Sequence, residues 1–402
     1  MVHQYQLNGY NIVLDTCSGS IHSVDDLAYD VIGMIREYTQ GDIIDAMLEK
    51  YDDVTAEDVQ ECIDDVVALR RAGKLFTPDN YEYLAYDFKA RNTVIKALCL
   101  HVAHTCNLNC SYCFASQGKY QGERALMTFE VGKRAIDFLI ENSGTRRNLE
   151  VDFFGGEPLM AMDTVKKTVE YARSIEEEHD KCFRFTITTN GVLLNDENIE
   201  YINREMSNAV LSIDGRKEVN DDLRPTVNGK GSYDVIVPKF QKLIEGRGTK
   251  DYYLRGTFTR FHQDFAEDVK ALASIGRNIS VEPVVGKEDD PYALQEADLP
   301  ALKAEYERLA EYLRDHPETN FFHFNVDLAQ GPCVIKRLRG CGAGCEYVAI
   351  TPEGDIYPCH QFVGNEKFLM GNVDTGVVNT DIRDEFKTCN VYAKPKCKDC
   401  FA

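Results

Sequence analysis

The sequence predicts an α/β protein: an open, partial barrel of six β/α units, preceded by a small module of strands and helices and followed by a cysteine-rich region. Three observations carry this. Apolar strand-like runs near 96–103, 149–154, 183–189, 208–214, 252–259 and 279–285 alternate with amphipathic stretches such as Phe129–Glu141, Thr164–Glu178 and Tyr233–Ile244. Such alternation with right-handed crossovers gives a parallel sheet or barrel, and six units suit an incomplete barrel better than a closed eightfold one. The first 85 residues lack this alternation, and cysteines cluster near 106–113 and again from Cys333 onward. At 402 residues the chain has room for two or three domains of roughly 100–200 residues.

Residues 1–85 open with strand-like runs Gln4–Leu7, Tyr10–Leu14 and Ser20–Val24, separated by turn residues at Asn8-Gly9 and Ser18-Gly19. A helix follows with Leu27, Val31, Met34, Ile35 and Tyr38 on one stripe, then another around Ile43, Ile44, Met47 and Leu48. Thr55-Ala56-Glu57-Asp58 reads as a capping box opening a third helix, with Val59, Cys62, Ile63, Val66 and Leu69 at helical spacing and Gly73 closing it. Three strands and three helices in this order suggest a winged-helix-like module. It is acidic, through Asp25, Asp26, Asp52, Asp53, Glu57, Asp58, Glu61, Asp64 and Asp65. An exposed strand edge there suits capture of an extended peptide by β-augmentation better than a grip on DNA. Residues 86–95 read as a linker, 96–295 as the barrel, 296–332 as a connecting helix with Leu299, Leu302, Tyr306, Leu309 and Tyr312, and 333–402 as the cysteine-rich domain.

A net charge of −21, from 66 acidic against 45 basic residues, argues against a duplex nucleic-acid partner, which needs Lys and Arg to displace phosphate counterions. No apolar run approaches the ~20 residues that cross a bilayer, and Met-Val-His-Gln-Tyr lacks a basic region followed by an apolar one. A cytoplasmic protein without a membrane partner is expected. In a large chain without an export signal, clustered cysteines read as metal ligands rather than disulfides. Cys17, Cys62, Cys99, Cys182 and Cys389 lie outside the clusters and read as small core residues or free thiols.

The chemistry begins in His101-Val102-Ala103-His104-Thr105-Cys106-Asn107-Leu108-Asn109-Cys110-Ser111-Tyr112-Cys113-Phe114. Its three cysteines, at C-x3-C-x2-C, are one short of the four thiolates that hold an iron–sulfur cluster. A three-thiolate loop leaves one iron open to another ligand. A zinc knuckle is the alternative for bare Cys-x2-Cys. The spacing, the aromatic Tyr112 before the last cysteine and the apolar strand Ala97-Leu98-Cys99-Leu100 feeding the loop resemble the radical SAM signature, so S-adenosylmethionine (SAM) is the ligand implied. Cys106, Cys110 and Cys113 are then the catalytic cluster ligands.

Gly155-Gly156-Glu157-Pro158 follows strand 2, where glycines allow close backbone approach and the carboxylate suits the SAM ammonium. Thr188-Thr189-Asn190-Gly191 and Ser212-Ile213-Asp214-Gly215 bring hydroxyl, amide and carboxylate groups to the same rim; turn chemistry is the competing explanation. Arg224 offers a fork donor for the SAM carboxylate, or a surface ion pair, and Arg255 is similar. Tyr112, Gly155, Gly156, Glu157, Asn190, Ser212, Asp214 and Arg224 are the expected cofactor-binding set.

The C-terminal region reads Cys333-x7-Cys341-Gly342-Ala343-Gly344-Cys345, then Gly354 and Cys359, and later Cys397-Lys398-Asp399-Cys400. From Cys341 this is C-x12-G-x4-C followed by C-x2-C, which resembles the SPASM domain. The resemblance implies that Cys333, Cys341 and Cys359 ligate a first auxiliary [4Fe–4S] cluster and that Cys397 and Cys400 begin a second. Ligands completing the second are absent, so either the sequence is truncated or that cluster is incomplete. Cys345 is a spare ligand or a core cysteine.

Taken together, the chain resembles radical SAM/SPASM peptide maturases. It is most similar to the SCIFF (ranthipeptide) type, through Tyr10–Asp15, Ser20–Asp26, Arg224–Asp234 and Gly340–Gly344. The resemblance implies that residues 1–85 are a RiPP recognition element binding the leader of a ribosomally made, Cys-rich precursor peptide. It implies reductive SAM cleavage, hydrogen abstraction by a 5′-deoxyadenosyl radical, and joining of a peptide cysteine sulfur to carbon as a thioether. An auxiliary cluster takes the surplus electron, and a flavodoxin- or ferredoxin-type donor supplies the first. Two alternatives stand beside this: a maturase oxidising a sulfatase Cys or Ser, and a non-enzymatic metal-binding winged-helix protein.

Overall fold

The computed structural model describes residues 1–87, 93–287, 289–326 and 334–401. They form two compact units, one holding Met1–Arg91, Val326–Cys341 and Lys387–Ala402, the other Asn92–Asn325 and Gly342–Phe386.

In the first unit, strands β1 (Val2–Leu7), β2 (Tyr10–Asp15) and β3 (Ser20–Val24) make an antiparallel sheet in that order. Helices α1 (Asp26–Met34), α2 (Gln40–Lys50) and α3 (Ala56–Arg71) follow. Local sequence explains the helix starts. The Asp25 side chain accepts from Ala28 N, and Thr39 with Asp42 and Thr55 with Asp58 close reciprocal capping boxes, satisfying backbone donors that a helix N-terminus otherwise leaves unpaired. Gly73 ends α3 at φ +66°, the left-handed geometry that glycine adopts freely. Val13, Val31, Ile43, Met47, Val59, Ile63 and Val66 form the buried core, so the heptad-like spacing of the helices points inward against one sheet face.

The short helix α4 (Glu82–Asp87) occupies the end of this module and the start of the expected linker; residues 88–92 of that linker lie outside the described residues. Two pieces of the C-terminal region also belong to this unit. Arg337 donates to Thr16 O at 2.6 Å, the Tyr392 hydroxyl donates to Asp79 at 3.0 Å, and the Phe401 and His3 rings stack at 3.8 Å. The Arg337, Tyr392 and Phe401 side chains thus find partners on the N-terminal module, while strands of the segment between them pair in the second unit.

The second unit is a single sheet whose six central strands are all parallel: β4 (Ala97–Ala103), β5 (Asn148–Gly155), β6 (Cys182–Thr189), β7 (Asn208–Ser212), β8 (Asp251–Phe258) and β9 (Asn278–Pro283). Helices α5 (Phe129–Asn142), α6 (Met162–Ile175), α7 (Asp196–Glu205), α8 (Lys217–Leu223), α9 (Tyr233–Glu245), α10 (Phe265–Ala273) and α11 (Leu299–Asp315) connect and follow them. The strands alternate. On β6, Phe183, Phe185 and Ile187 are buried with the helices, while Arg184, Thr186 and Thr188 take the other face. This is the partial (β/α)6 barrel expected.

An open barrel leaves two edges, and an unpaired edge is a liability that proteins cover. Here β10 (Asn320–Phe321) pairs parallel to β9, so the expected connecting segment contributes a strand as well as a helix. At the other edge β11 (Tyr347–Ile350) pairs parallel to β4, and β12 (Asp355–Tyr357), β13 (Gly371–Asn372) and β14 (Gly376–Val377) continue antiparallel. The segment carrying Cys359 is thereby laid beside the first barrel strand.

Candidate active site

Each parallel strand ends at the same rim, and the loops leaving those ends enclose a cavity of about 220 Å³. Cys106, Cys110, Tyr112 and Cys113 come from the loop after β4, Gly155 and Gly156 from the end of β5, and Thr188 and Asn190 from the end of β6. Ser212, Arg224, Arg255, Thr257 and Glu282 complete the polar wall. Of the expected cofactor set, Tyr112, Gly155, Gly156, Asn190, Ser212 and Arg224 face this cavity together with all three cysteines of the loop.

Glu157 and Asp214 do not line it. Glu157 is fully buried and its carboxylate is engaged by three donors: Leu159 N at 3.0 Å, the Thr189 hydroxyl at 2.7 Å and Asn190 N at 2.8 Å. Burial raises its pKa to about 7 against those hydrogen bonds. It fastens the end of β6 to the turn after β5. Asp214 is buried too. It accepts from the Tyr112 hydroxyl at 2.9 and 3.0 Å and from Thr257 N at 2.9 Å, and pairs with Arg224 Nε at 2.9 Å. Two cavity-lining side chains are thus held by a carboxylate behind them. Burial opposes the Arg224 charge, but Asp214, Tyr112 and Cys110 together outweigh it and raise the pKa. Arg224 is a buried ion pair, not the surface one considered from sequence.

The cysteine loop is shaped by backbone contacts. Asn109 N donates to Pro225 O and Ser111 N to Leu223 O, at 2.8 and 3.0 Å. Leu108 N lies 3.4 Å and Asn190 Nδ2 3.7 Å from Cys106 Sγ, and Asn190 Nδ2 also donates to Asn107 Oδ1 at 2.8 Å. Burial pushes the Cys106 thiol up to about 11 and the Cys110 thiol to about 12. Buried neutral thiols of this kind lose their protons when bound to a metal, whose charge replaces the missing cation. No disulfide joins any of the described cysteines. Among the described residues no three His, Cys, Asp or Glu side chains converge tightly enough for a single metal ion. The donor set fits a multi-iron cluster: three soft sulfurs on one loop, N–H donors directed at one of them, and a cavity beside them for a further ligand.

Of the remaining cysteines, Cys359 Sγ lies 3.5 Å from His360 Nδ1 and receives Gln361 N at 3.5 Å, and Cys345 Sγ lies 3.6 Å from Arg383 O. Cys341 is exposed in the first unit, and Cys333 lies outside the described residues. Cys400 and Cys17 line one cavity of about 200 Å³ in that unit, a pairing of distant residues that sequence spacing did not signal. Sequence reasoning also missed His360 and Gln361, which line the cavity of the three-cysteine loop. Their only signal was adjacency to Cys359. The His360 ring meets Phe154 at 5.2 Å and Phe114 at 5.7 Å, and burial lowers its pKa to about 4, so it is neutral near pH 7.

Comparison with known proteins agrees with this fold. Residues 100–257 match the radical SAM superfamily. Residues 341–401 match the SPASM iron–sulfur cluster-binding domain, so the protein carries both domains. Radical SAM domains bind a [4Fe–4S] cluster with SAM, and SPASM domains bind auxiliary iron–sulfur clusters. Among relatives, an uncharacterised protein of Methanocaldococcus jannaschii is 36% identical over 139 residues, 34% of this chain and 45% of its own. The mycofactocin maturase MftC of Mycolicibacterium smegmatis is 28% identical over 286 residues, 69% of this chain and 67% of its own. A cysteine-type anaerobic sulfatase-maturating enzyme of Clostridium novyi is 24% identical over 323 residues, 73% and 82% respectively. The chain thus spans from about half to two thirds of the length of the first two. Among solved structures, SuiB of Streptococcus suis bound to S-adenosylmethionine shares the fold at a TM-score of 0.56 and 16% identity, covering 99% of this chain and 92% of that one. Native anSMEcpe with bound AdoMet does so at 0.62 and 19%, covering 76% and 86%. Among the described residues no helix is long and apolar enough to cross a membrane.

Proposed function

We propose that the protein is a radical SAM peptide maturase that joins a cysteine sulfur of a ribosomally made precursor peptide to carbon, forming a thioether. The observation that carries the reading is one cavity lined both by the three-cysteine loop and by the His360-Gln361 segment next to Cys359. Cys106, Cys110 and Cys113 would hold the SAM-binding cluster. By resemblance to the SPASM domain, Cys333, Cys341 and Cys359 would hold a first auxiliary cluster, with Cys345 a spare ligand or a core cysteine, and Cys397 and Cys400 would begin a second. When bound, cluster and SAM supply one-electron chemistry, hydrogen-atom abstraction from an unactivated carbon. Gly155 and Gly156 present backbone to SAM, Arg224 and Asn190 orient it from the polar wall, and Tyr112 closes the side next to Asp214. The apolar Phe114, Phe154, Val284 and Val285 keep water from the reacting carbon. The N-terminal sheet, with β3 at its edge, would hold the leader of the peptide, and an external flavodoxin- or ferredoxin-type protein would deliver electrons.

The similarity to a sulfatase-maturating enzyme favours a second reading, oxidation of a Cys or Ser side chain without a crosslink. Incubating anaerobically reconstituted protein with SAM, reductant and a synthetic Cys-containing precursor peptide separates the two by mass spectrometry. A crosslinked product lighter by two hydrogens per thioether, one from the cysteine S–H and one from the carbon, with the sulfur retained, is expected. Replacing Cys106, Cys110 and Cys113 together by Ala should abolish 5′-deoxyadenosine while leaving the auxiliary iron partly in place. Persisting 5′-deoxyadenosine in that variant refutes the assignment.

A further inference from the structure

The loop between Cys113 and α5 holds four non-glycine residues in the left-handed region, Ser116 (φ +49°), Gln117 (+55°), Tyr120 (+49°) and Gln121 (+63°). Each such residue costs of order 1 kcal/mol, so the surroundings must fix the loop firmly. What fixes it is packing of backbone on backbone. A Cβ at Gly118 would stand 2.9 Å from Gly156 Cα and 3.0 Å from the Thr105 carbonyl carbon, and one at Gly364 only 1.9 Å from Tyr120 O. Gly364 lies five residues beyond Cys359. Tyr120 is therefore gripped between the rim of the barrel and the Cys359 segment.

The Tyr120 side chain is equally constrained. It is 3% exposed, its ring lies 4.6 Å from His101 and 4.7 Å from His104, and those two imidazoles are bonded to each other at 3.2 Å. The ring aims its hydroxyl at Gly155 O, 3.2 Å away. That carbonyl shares a peptide plane with Gly156 N, which donates to Ala103 O at 2.7 Å. A plane between two glycines has no Cβ on either side to limit its rotation, and here it lines the cavity for SAM.

We propose that Tyr120 is a positioning residue: its hydroxyl pins the Gly155–Gly156 peptide plane at one end while Ala103 pins the other, pre-setting the backbone that SAM meets. This rests on the SAM-binding role assigned above to the cavity. Ligand binding to a backbone already in place avoids the cost of ordering it.

Tyr120→Phe keeps the ring and removes only the hydroxyl. In reconstituted holoprotein it should retain iron, sulfide and thermal midpoint. SAM affinity should fall roughly two- to tenfold, the worth of one neutral hydrogen bond, and deuterium uptake should rise in peptides containing Gly156 but not in those of α5 or α9. The change in the reduced cluster's EPR spectrum on adding SAM should also diminish. Gly364→Ala, which pushes on the Tyr120 carbonyl from the other side, should reproduce the loss of SAM affinity and the rise in Gly156 exchange, with a lowered thermal midpoint. Wild-type SAM affinity and Gly156 exchange in Tyr120→Phe would overturn the proposal while leaving the SAM site standing. Wild-type holoprotein that binds no SAM would overturn both.

Discussion

Asp214→Ala tests how the polar wall of the cavity is held. The carboxylate is fully buried and serves three partners at once: Arg224 at 2.9 Å, the Tyr112 hydroxyl at 2.9 Å and Thr257 N at 2.9 Å. Its removal strands a guanidinium that is itself only 13% exposed. Breaking a buried pair from one side costs about 3–5 kcal/mol, because the remaining charge stays desolvated. For a unit the size of the barrel, with roughly 2 cal/mol/K of unfolding entropy per residue, that lowers the midpoint by about 5–9 °C. Heat unfolding of anaerobically prepared protein, followed by circular dichroism, measures it. Arg224→Met should also destabilise, leaving Asp214 unpaired. The double variant removes both charges, so its loss should fall short of the summed single losses by about 1–3 kcal/mol. Strictly additive losses, or an unchanged midpoint in Asp214→Ala, would refute the account of Asp214 as the brace behind Tyr112 and Arg224.

Glu157→Ala should lower the thermal midpoint by at least about 2 kcal/mol worth of stability, since three buried donors lose their acceptor; a midpoint equal to wild type contradicts the bracing role. Asp152 on β5 has a buried Oδ1 without a hydrogen-bond partner, and burial raises its pKa to about 7 despite the opposing pull of Arg255. A raised acid pKa gives stability that is full below about pH 4 and lost as pH rises through about 7, by at most about 4 kcal/mol. Asp152→Asn should therefore gain in urea midpoint over wild type at pH 8 and not at pH 4, and parallel curves at both pH values count against it. Ile21→Pro in the edge strand β3 should abolish binding of the leader peptide while SAM cleavage continues; intact binding measured by fluorescence anisotropy shows that this edge is not where the peptide docks.

The six parallel strands and the caps of α3 were legible because they depend on local order: alternation on β6, Thr55 with Asp58 before α3, Gly73 after it. The three-cysteine loop was legible for the same reason, since its ligands are neighbours in sequence. The roles of Glu157 and Asp214 were not. A carboxylate beside two glycines reads the same whether it points into a cavity or away from it. Only packing showed that the donors of Leu159, Thr189 and Asn190 claim the first, and those of Tyr112, Thr257 and Arg224 the second.

The sequence by itself determined the kind of chemistry, because residue types and short spacings fix which atoms can serve as soft ligands and where glycine leaves the backbone open. It also pointed to parallel strands joined by helices, since alternating β/α units cross over with one hand. Tertiary structure alone decided which residues share the cavity. His360 and Gln361 enter it because the free edge of β4 is covered by β11, and that pairing carries the following segment to the barrel rim. Tyr120 acquires its place from Gly118, Gly155 and Gly364, residues far apart in the chain whose missing side chains let three backbone segments touch. Such contacts depend on distance in space, and no spacing within the sequence encodes them.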